Sequence, residues 1–180
     1  ESAGRAVAEC RRSGIMFSAD QMRAFETQHA VSGDGEPYNM TRAGSIIEIR
    51  VEGVLTEKPD IWAWWSGQAN TTYESIARSL AIAVADKTVT EVVLRVNSPG
   101  GTVDGLFDAL AAIESFRYDS KKKLSVIASK AQSAAYAISA LAGNITASGP
   151  ASMFGSIGTA IDFVVYADVK VVSVTTPDSP

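Results

Sequence analysis

This chain is short of the residues on which most hydrolases and nucleic-acid binders rely. Its 180 residues include one histidine, His29, and one cysteine, Cys10. A single cysteine excludes an internal disulfide framework and a cysteine-rich zinc site, and such usage fits an intracellular compartment. The lone histidine sits in a polar segment and reads as a surface residue. Basic residues are outnumbered, 16 Lys and Arg against 20 Asp and Glu, for a net charge of −4. A nucleic-acid partner, which wants a basic face, is therefore not expected. The one basic run, Lys121-Lys122-Lys123, reads as a solvated turn. No apolar run approaches the roughly 20 residues of a membrane span, so no membrane is expected for the given chain. It begins at Glu1 with no Met or signal-peptide pattern and ends at Pro180 directly after a strand-like run. The expectation is a fragment.

What is present fits a folded domain: 46% hydrophobic and 20% charged residues, with enough length for one core. Residues 1–43 read as an N-terminal extension outside the core, with a short helix from Asp20 to Thr27 and a loop over Ser32–Pro37. The first strand is Ile46–Val51, closed by Gly53. Trp62, Trp64 and Trp65 follow beside Pro59 and Gly67. They suit an apolar lid, a subunit contact or a substrate rim, or fold back on the core. Thr71-Thr72-Tyr73-Glu74 is a capping-box pattern, opening a helix to about Ala85 with Ile76, Leu80 and Ala83/Val84 on one face. Glu91–Val96 is a buried strand. Asn97-Ser98-Pro99-Gly100-Gly101 then reads as a tight turn, with a helix at 103–116 whose stripe is Val103, Leu106, Phe107, Leu110 and Ile113. A strand at 124–128, a small-residue helix at 133–142, a short strand at 144–147, a loop at 155–158 and strands near 161–166 and 170–175 complete the chain. This alternation predicts an α/β fold with a mostly parallel sheet. Right-handed crossovers bring successive βα turns to one edge, where ligands bind.

Two of those turns carry the chemistry. Pro99-Gly100-Gly101 offers backbone N–H groups that can hold a developing negative charge. Ser129-Lys130-Ala131-Gln132-Ser133 ends at a serine that opens a helix. Serine is a favoured N-cap, so capping alone would explain Ser133. Its neighbours Ala134 and Ala135, however, are small enough for a substrate backbone to pass. The N–H of Ala134 with that of Gly100 or Gly101 would form a two-donor oxyanion hole. A serine nucleophile needs a base. No histidine follows Ser133, which argues against a Ser-His-Asp triad. A lysine could serve if burial lowers its pKa. Lys130 lies close in sequence but goes with the loop, and Lys170 serves only if its side chain turns inward. From the residues alone the base stays open.

The stretches RVNSPGGTVDG at 95–105, QSAAYAISALAGNITA at 132–147 and GSIG at 155–158 resemble the signal peptide peptidase A group of serine proteases. Its soluble members include prohead, or capsid maturation, proteases of tailed phages. VADKTVTEVVLRV at 84–96 fits the phage-like members, and the likeness covers about residues 44–175. NSPGG is shared with Clp protease, whose catalytic histidine has no counterpart in the Met153–Ser156 region. The resemblance implies a ClpP/crotonase-like α/β fold over 44–180, built from repeated βα units. It implies peptide-bond cleavage by a Ser/Lys dyad without metal or cofactor. It places the nucleophile at Ser133 and the oxyanion donors at Gly100, Gly101 and Ala134. Ser156 would orient the lysine, which would follow the strand at Val169–Val174 and so lie beyond Pro180. Further implications are an extended peptide substrate, a homo-oligomeric ring, and a cytoplasmic place in the phage prohead of an infected cell, or a membrane-associated one if an anchor was removed. Three rival readings stand beside the prohead protease: a bacterial signal peptide peptidase, a non-catalytic assembly module, and a crotonase-type acyl-CoA enzyme that would not need Ser133.

Overall fold

The structure, a computed structural model, describes residues 17–29, 36–165 and 170–175, with backbone alone at 26–29, 160–165 and 170–174. A helix α1 (Ala19–His29) precedes β1 (Met40–Ala43) and β2 (Ile46–Thr56). Then come α2 (Ile61–Trp65), β3 (Asn70–Thr72), α3 (Tyr73–Ala85), β4 (Glu91–Gly101), α4 (Leu106–Asp119), β5 (Lys123–Gln132) and α5 (Ala134–Ala142). The chain continues through β6 (Ile145–Ala147), β7 (Met153–Gly155), β8 (Ala160–Val165) and β9 (Lys170–Thr175). The main sheet runs β1-β2-β4-β5-β6, with β3 added to β2 and β7 to β5. Only β1 is antiparallel within it, while β8 and β9 form a separate antiparallel pair. The fold is thus α/β, with a mostly parallel sheet and flanking helices.

Strand periodicity decides which face is buried. Ile47, Ile49 and Val51 on β2, Val92, Leu94 and Val96 on β4, and Val126 and Ala128 on β5 form one buried face. Ile76, Leu80 and Ala83 of α3, Ala109, Ile113 and Phe116 of α4, and Ala135 and Ile138 of α5 join the same core. Charged residues alternate with them on the strands: Arg95 pairs with Glu48 at 2.9 Å and Lys123 with Glu91 at 3.0 Å. Glu91–Val96 is therefore buried on one face only.

Several local expectations are corrected. The glycine pair is not a tight turn after Val96, because β4 stays extended through Gly101, held between β2 and β5. The helix does not follow at once. Residues 102–105 intervene, and α4 starts after Gly105 at φ +82°. Val103 therefore falls before the helix, 47% exposed, and Phe107 is 70% exposed, while Leu106, Leu110 and Ile113 of the expected stripe pack in or against the core beside Ala109 and Phe116. Likewise β5 runs on to Gln132, so Lys130 lies in a strand and not in a loop. Gly53 does not close β2; it forms an irregularity inside it, at φ +69°. The N-cap of α3 is Thr72, whose Oγ1 accepts the Ser75 N–H at 3.1 Å, because Thr71 is occupied with both backbone groups of Glu52 at 2.9 Å. Val84 falls off the buried face at 45% exposure. Lys122 is not simply a solvated turn residue: part-exposed, its ammonium donates to Ala83 O, Val84 O and Asp86 O, where the carbonyls at a helix C-terminus attract a cation.

The tryptophans form α2, capped by Asp60, whose carboxylate accepts from Trp62 N and Ala63 N. Their aromatic partners include N-terminal residues. Phe17 lies 4.6 Å from Trp62 and Phe25 lies 5.7 Å from Trp64, centroid to centroid. Of the open readings, then, the indoles meet the segment that precedes the sheet, and only Ala63 of α2 is buried.

Tyr73, 1% exposed, donates its hydroxyl to Thr102 O at 2.6 Å. Burial pushes the phenol up to about 12. Tyr73→Phe removes the partner of a carbonyl just after the glycine pair. The expected loss is about 1–2 kcal/mol, measured by urea unfolding, with no change in pH dependence near neutrality.

Candidate functional site

β4 and β5 are parallel neighbours in register Asn97↔Lys130 and Ser98↔Ala131. The residues two further on, Gly100 and Ser133, therefore leave this register side by side. A Cβ placed on Gly100 would lie 2.7 Å from Ser133 Cβ, 2.8 Å from Gln132 O and 3.1 Å from Ala134 N. Gly100 also has φ +97°, a conformation that disfavours any side chain. A Cβ on Gly101 would meet Leu55 O at 1.8 Å. Glycine is needed at both positions, the first against the Ser133 turn and the second against β2.

Ser133 adopts φ +52°, ψ −125° and makes no side-chain cap bond to α5. Its position is that of an N-cap, but its hydroxyl does not do the work of one. The positive φ is costly for serine, about 1–3 kcal/mol. It is held in place by bonds on both sides. Ser133 N–H donates to Gly155 O at 2.9 Å, and Ser133 O accepts from Tyr136 N and Ala137 N at 2.9 and 3.0 Å. The side chain is partly exposed. Ser133→Gly, which relieves the strain, is expected to be more stable than Ser133→Ala by about 1–3 kcal/mol, as read by thermal or denaturant unfolding of the two variants.

Ala134, 5% exposed, is the first residue of α5, where helical N–H groups have no intrahelical acceptor. Gly100 N–H, in contrast, donates to Ser98 Oγ at 3.0 Å. This narrows the expected donor set: of the glycine pair, Gly101 is left as the candidate to act with Ala134. Gly155 pairs with Gln132 across β5 and β7. The expected loop at 155–158 thus begins within a strand, and Ser156, exposed at φ +56°, follows directly beside the Ser133 turn. Three distant segments, 98–101, 132–134 and 155–156, converge.

The base is not so assembled. Lys130 stands beside Asn97 and Met153 in the sheet, and Lys170 opens β9 with its side chain outside the described residues. The side chain of His29 is likewise outside them. Among the described residues no group of three or more His, Cys, Asp or Glu could hold a metal ion, and no helix is long and apolar enough to cross a membrane. A cavity of about 470 Å³ lies elsewhere, between Tyr38, Arg50, Glu52, Trp64, Gln68 and Asn70. Sequence reasoning overlooked Ser98 as a structural participant. Its signal was available, because a serine two residues before a Gly, followed by Pro, suits a side-chain-to-backbone turn.

No family model matches the chain. It is 29% identical over 165 residues to the head-tail preconnector protein GP5 of Enterobacteria phage P21, covering 91% of this chain. The chain spans about a third of that relative, 32% of its length. Similar solved structures include an enoyl-CoA hydratase from Polaromonas sp. JS666, with 15% identity, 60% of this chain and 46% of that one, at a TM-score of 0.45. A point mutant of ClpP1 from Listeria monocytogenes is 16% identical over 51% of this chain and 43% of that one, at a TM-score of 0.34. Both are likenesses of fold alone.

Proposed function

We propose that this chain carries the catalytic domain of a serine endopeptidase acting in phage head maturation, with 44–180 as the protease unit and 1–43 as an extension whose last strand, β1, is not outside the core as expected but pairs with β2 and buries Met40. The observation that carries the reading is the backbone of Ser133. Its φ is positive, its hydroxyl makes no cap bond, and it is pressed against Gly100, where any Cβ would collide with it. Strain of this kind collects at functional sites. The phage relative, named as a head-tail preconnector protein, supports the setting.

In the proposed reaction Ser133 Oγ attacks the substrate carbonyl and forms the acyl-enzyme, while its proton passes to a lysine base and then to the leaving amine. Water reverses the sequence and releases the acid. The N–H groups of Ala134 and Gly101 receive the oxyanion. Following the family resemblance, the lysine comes from beyond Pro180, and Ser156 orients it. The substrate is an extended segment of scaffold protein, and the working form is a ring of copies.

The test is labelling of the natural full-length chain by a fluorophosphonate, with the site mapped by peptide mass spectrometry. Label on Ser133 is expected. Folded protein that cleaves no peptide and takes up no label at Ser133 would favour the second reading, a non-catalytic assembly module, to which the preconnector name of the relative also lends itself.

A further inference from the structure

Ser98 is fully buried and makes two hydrogen bonds in opposite directions. Its hydroxyl donates to Gly53 O on β2 at 2.6 Å and accepts from Gly100 N–H at 3.0 Å. Both partners are glycines with positive φ, +69° at Gly53 and +97° at Gly100. Each lies close to a break in strand register, one between Glu52 and Val54 and the other between Val96 and Asn97. Each is also backed by a close neighbour. A Cβ on Gly53 would meet the Ala69 carbonyl at 1.7 Å, and one on Gly100 would meet the Ser133 turn. One hydroxyl thus ties two irregular points of adjacent strands together, with Ala69 behind one and Ser133 in front of the other.

We propose that Ser98 is a positioning residue for the oxyanion site. Resting on the reading of Ser133 as nucleophile, the inference is that Ser98 fixes how closely Gly100 approaches the Ser133–Ala134 turn. It also withholds the Gly100 N–H from the substrate, so that the glycine pair presents a single donor, Gly101, opposite Ala134. A hydroxyl suits this task because it donates and accepts at once. An alanine would take the hydroxyl donor away from the part-buried Gly53 carbonyl and release the Gly100 amide, adding a competing donor in the wrong place.

The test joins residue-resolved hydrogen exchange with kinetics. In the wild-type chain the Gly100 amide is expected to exchange slowly. In Ser98→Ala it should exchange at least about tenfold faster, as expected when a protecting bond opens, and the amide resonances of Ser133 and Ala134 should shift. In the full-length protein kcat for a peptide substrate should fall about 10- to 100-fold with KM little changed, since a displacement near 1 Å costs about that much. Ser98→Thr, which keeps the hydroxyl, should restore slow exchange at Gly100 and recover most of kcat. A Gly100 amide that exchanges freely in the wild type, or a folded Ser98→Ala with unmoved Ser133 and Ala134 resonances, would overturn the proposal. Wild-type protein that fails to cleave, yet shows the exchange pattern, would sink the protease reading and leave the positioning of Gly100 by Ser98 standing.

Discussion

Gly100→Ala is expected to cost this protein about 2–6 kcal/mol of stability, from strain and overpacking, and roughly 100-fold or more in the rate of Ser133 labelling, from displacement. Alanine at φ +97° bears backbone strain of about 1–3 kcal/mol. Its methyl would overlap Ser133 Cβ at 2.7 Å and Gln132 O at 2.8 Å, an overpacking of about 1–3 kcal/mol. Neither obstacle is the tip of a flexible side chain, so the Ser133 turn itself must move. Misplacing a nucleophile by about 1 Å costs about 100-fold. Gly143→Ala supplies the comparison. Gly143 has φ +127°, but a Cβ there meets nothing within 4 Å. It should lose stability through strain alone and keep its labelling rate. Equal labelling losses in the two variants, read with urea melts and a fluorophosphonate time course, would mean that contact with Ser133 is unimportant.

Ser133→Ala in the full-length protein is expected to lower peptide cleavage by on the order of 10³-fold or more without unfolding the chain. The helix does not depend on this hydroxyl, since α5 has no side-chain cap bond from it. An ordinary N-cap serine would behave in the opposite manner, with about 1 kcal/mol of stability lost and turnover unchanged. The variant therefore separates the two roles that any serine before a helix can have. Melting temperature and initial rate on one sample decide between them.

The order of the central elements, β2 and then α3 through β6, was readable because the apolar periodicity of β2, β4 and β5 is strong and because strand and helix alternate, whereas the short β1, α2, β3 and β7 were not read. Crossover rules put the two βα turns on one sheet edge, but that β4 and β5 are neighbours, which brings Ser133 to the glycines, had no signal in the sequence and comes from the pairing itself. What stayed hidden was the reach of the strands. Asn97-Ser98-Pro99-Gly100-Gly101 has the composition of a turn, yet pairing with β2 and the Ser98 hydroxyl hold it extended. Of the stripe assigned to α4, Leu106, Leu110 and Ile113 meet the core, but four residues separate Gly101 from the start of the helix, and Val103 and Phe107 are left outside it. Lys122 looked solvated in a basic run, whereas the carbonyls it satisfies, at the end of α3, lie 36 to 39 residues earlier. Long-range partners of this kind leave no local trace. The strain at Ser133 was equally invisible, since nothing in Gln-Ser-Ala-Ala specifies a serine with positive φ.

A structure of the full-length protein with a peptide aldehyde bound would probe the core idea most directly. The aldehyde carbon should be bonded to Ser133 Oγ, with its oxygen about 2.7–3.1 Å from the amide nitrogens of Ala134 and Gly101 and out of reach of Gly100 N–H. An adduct on another residue, or an oxygen turned away from both amides, would contradict it.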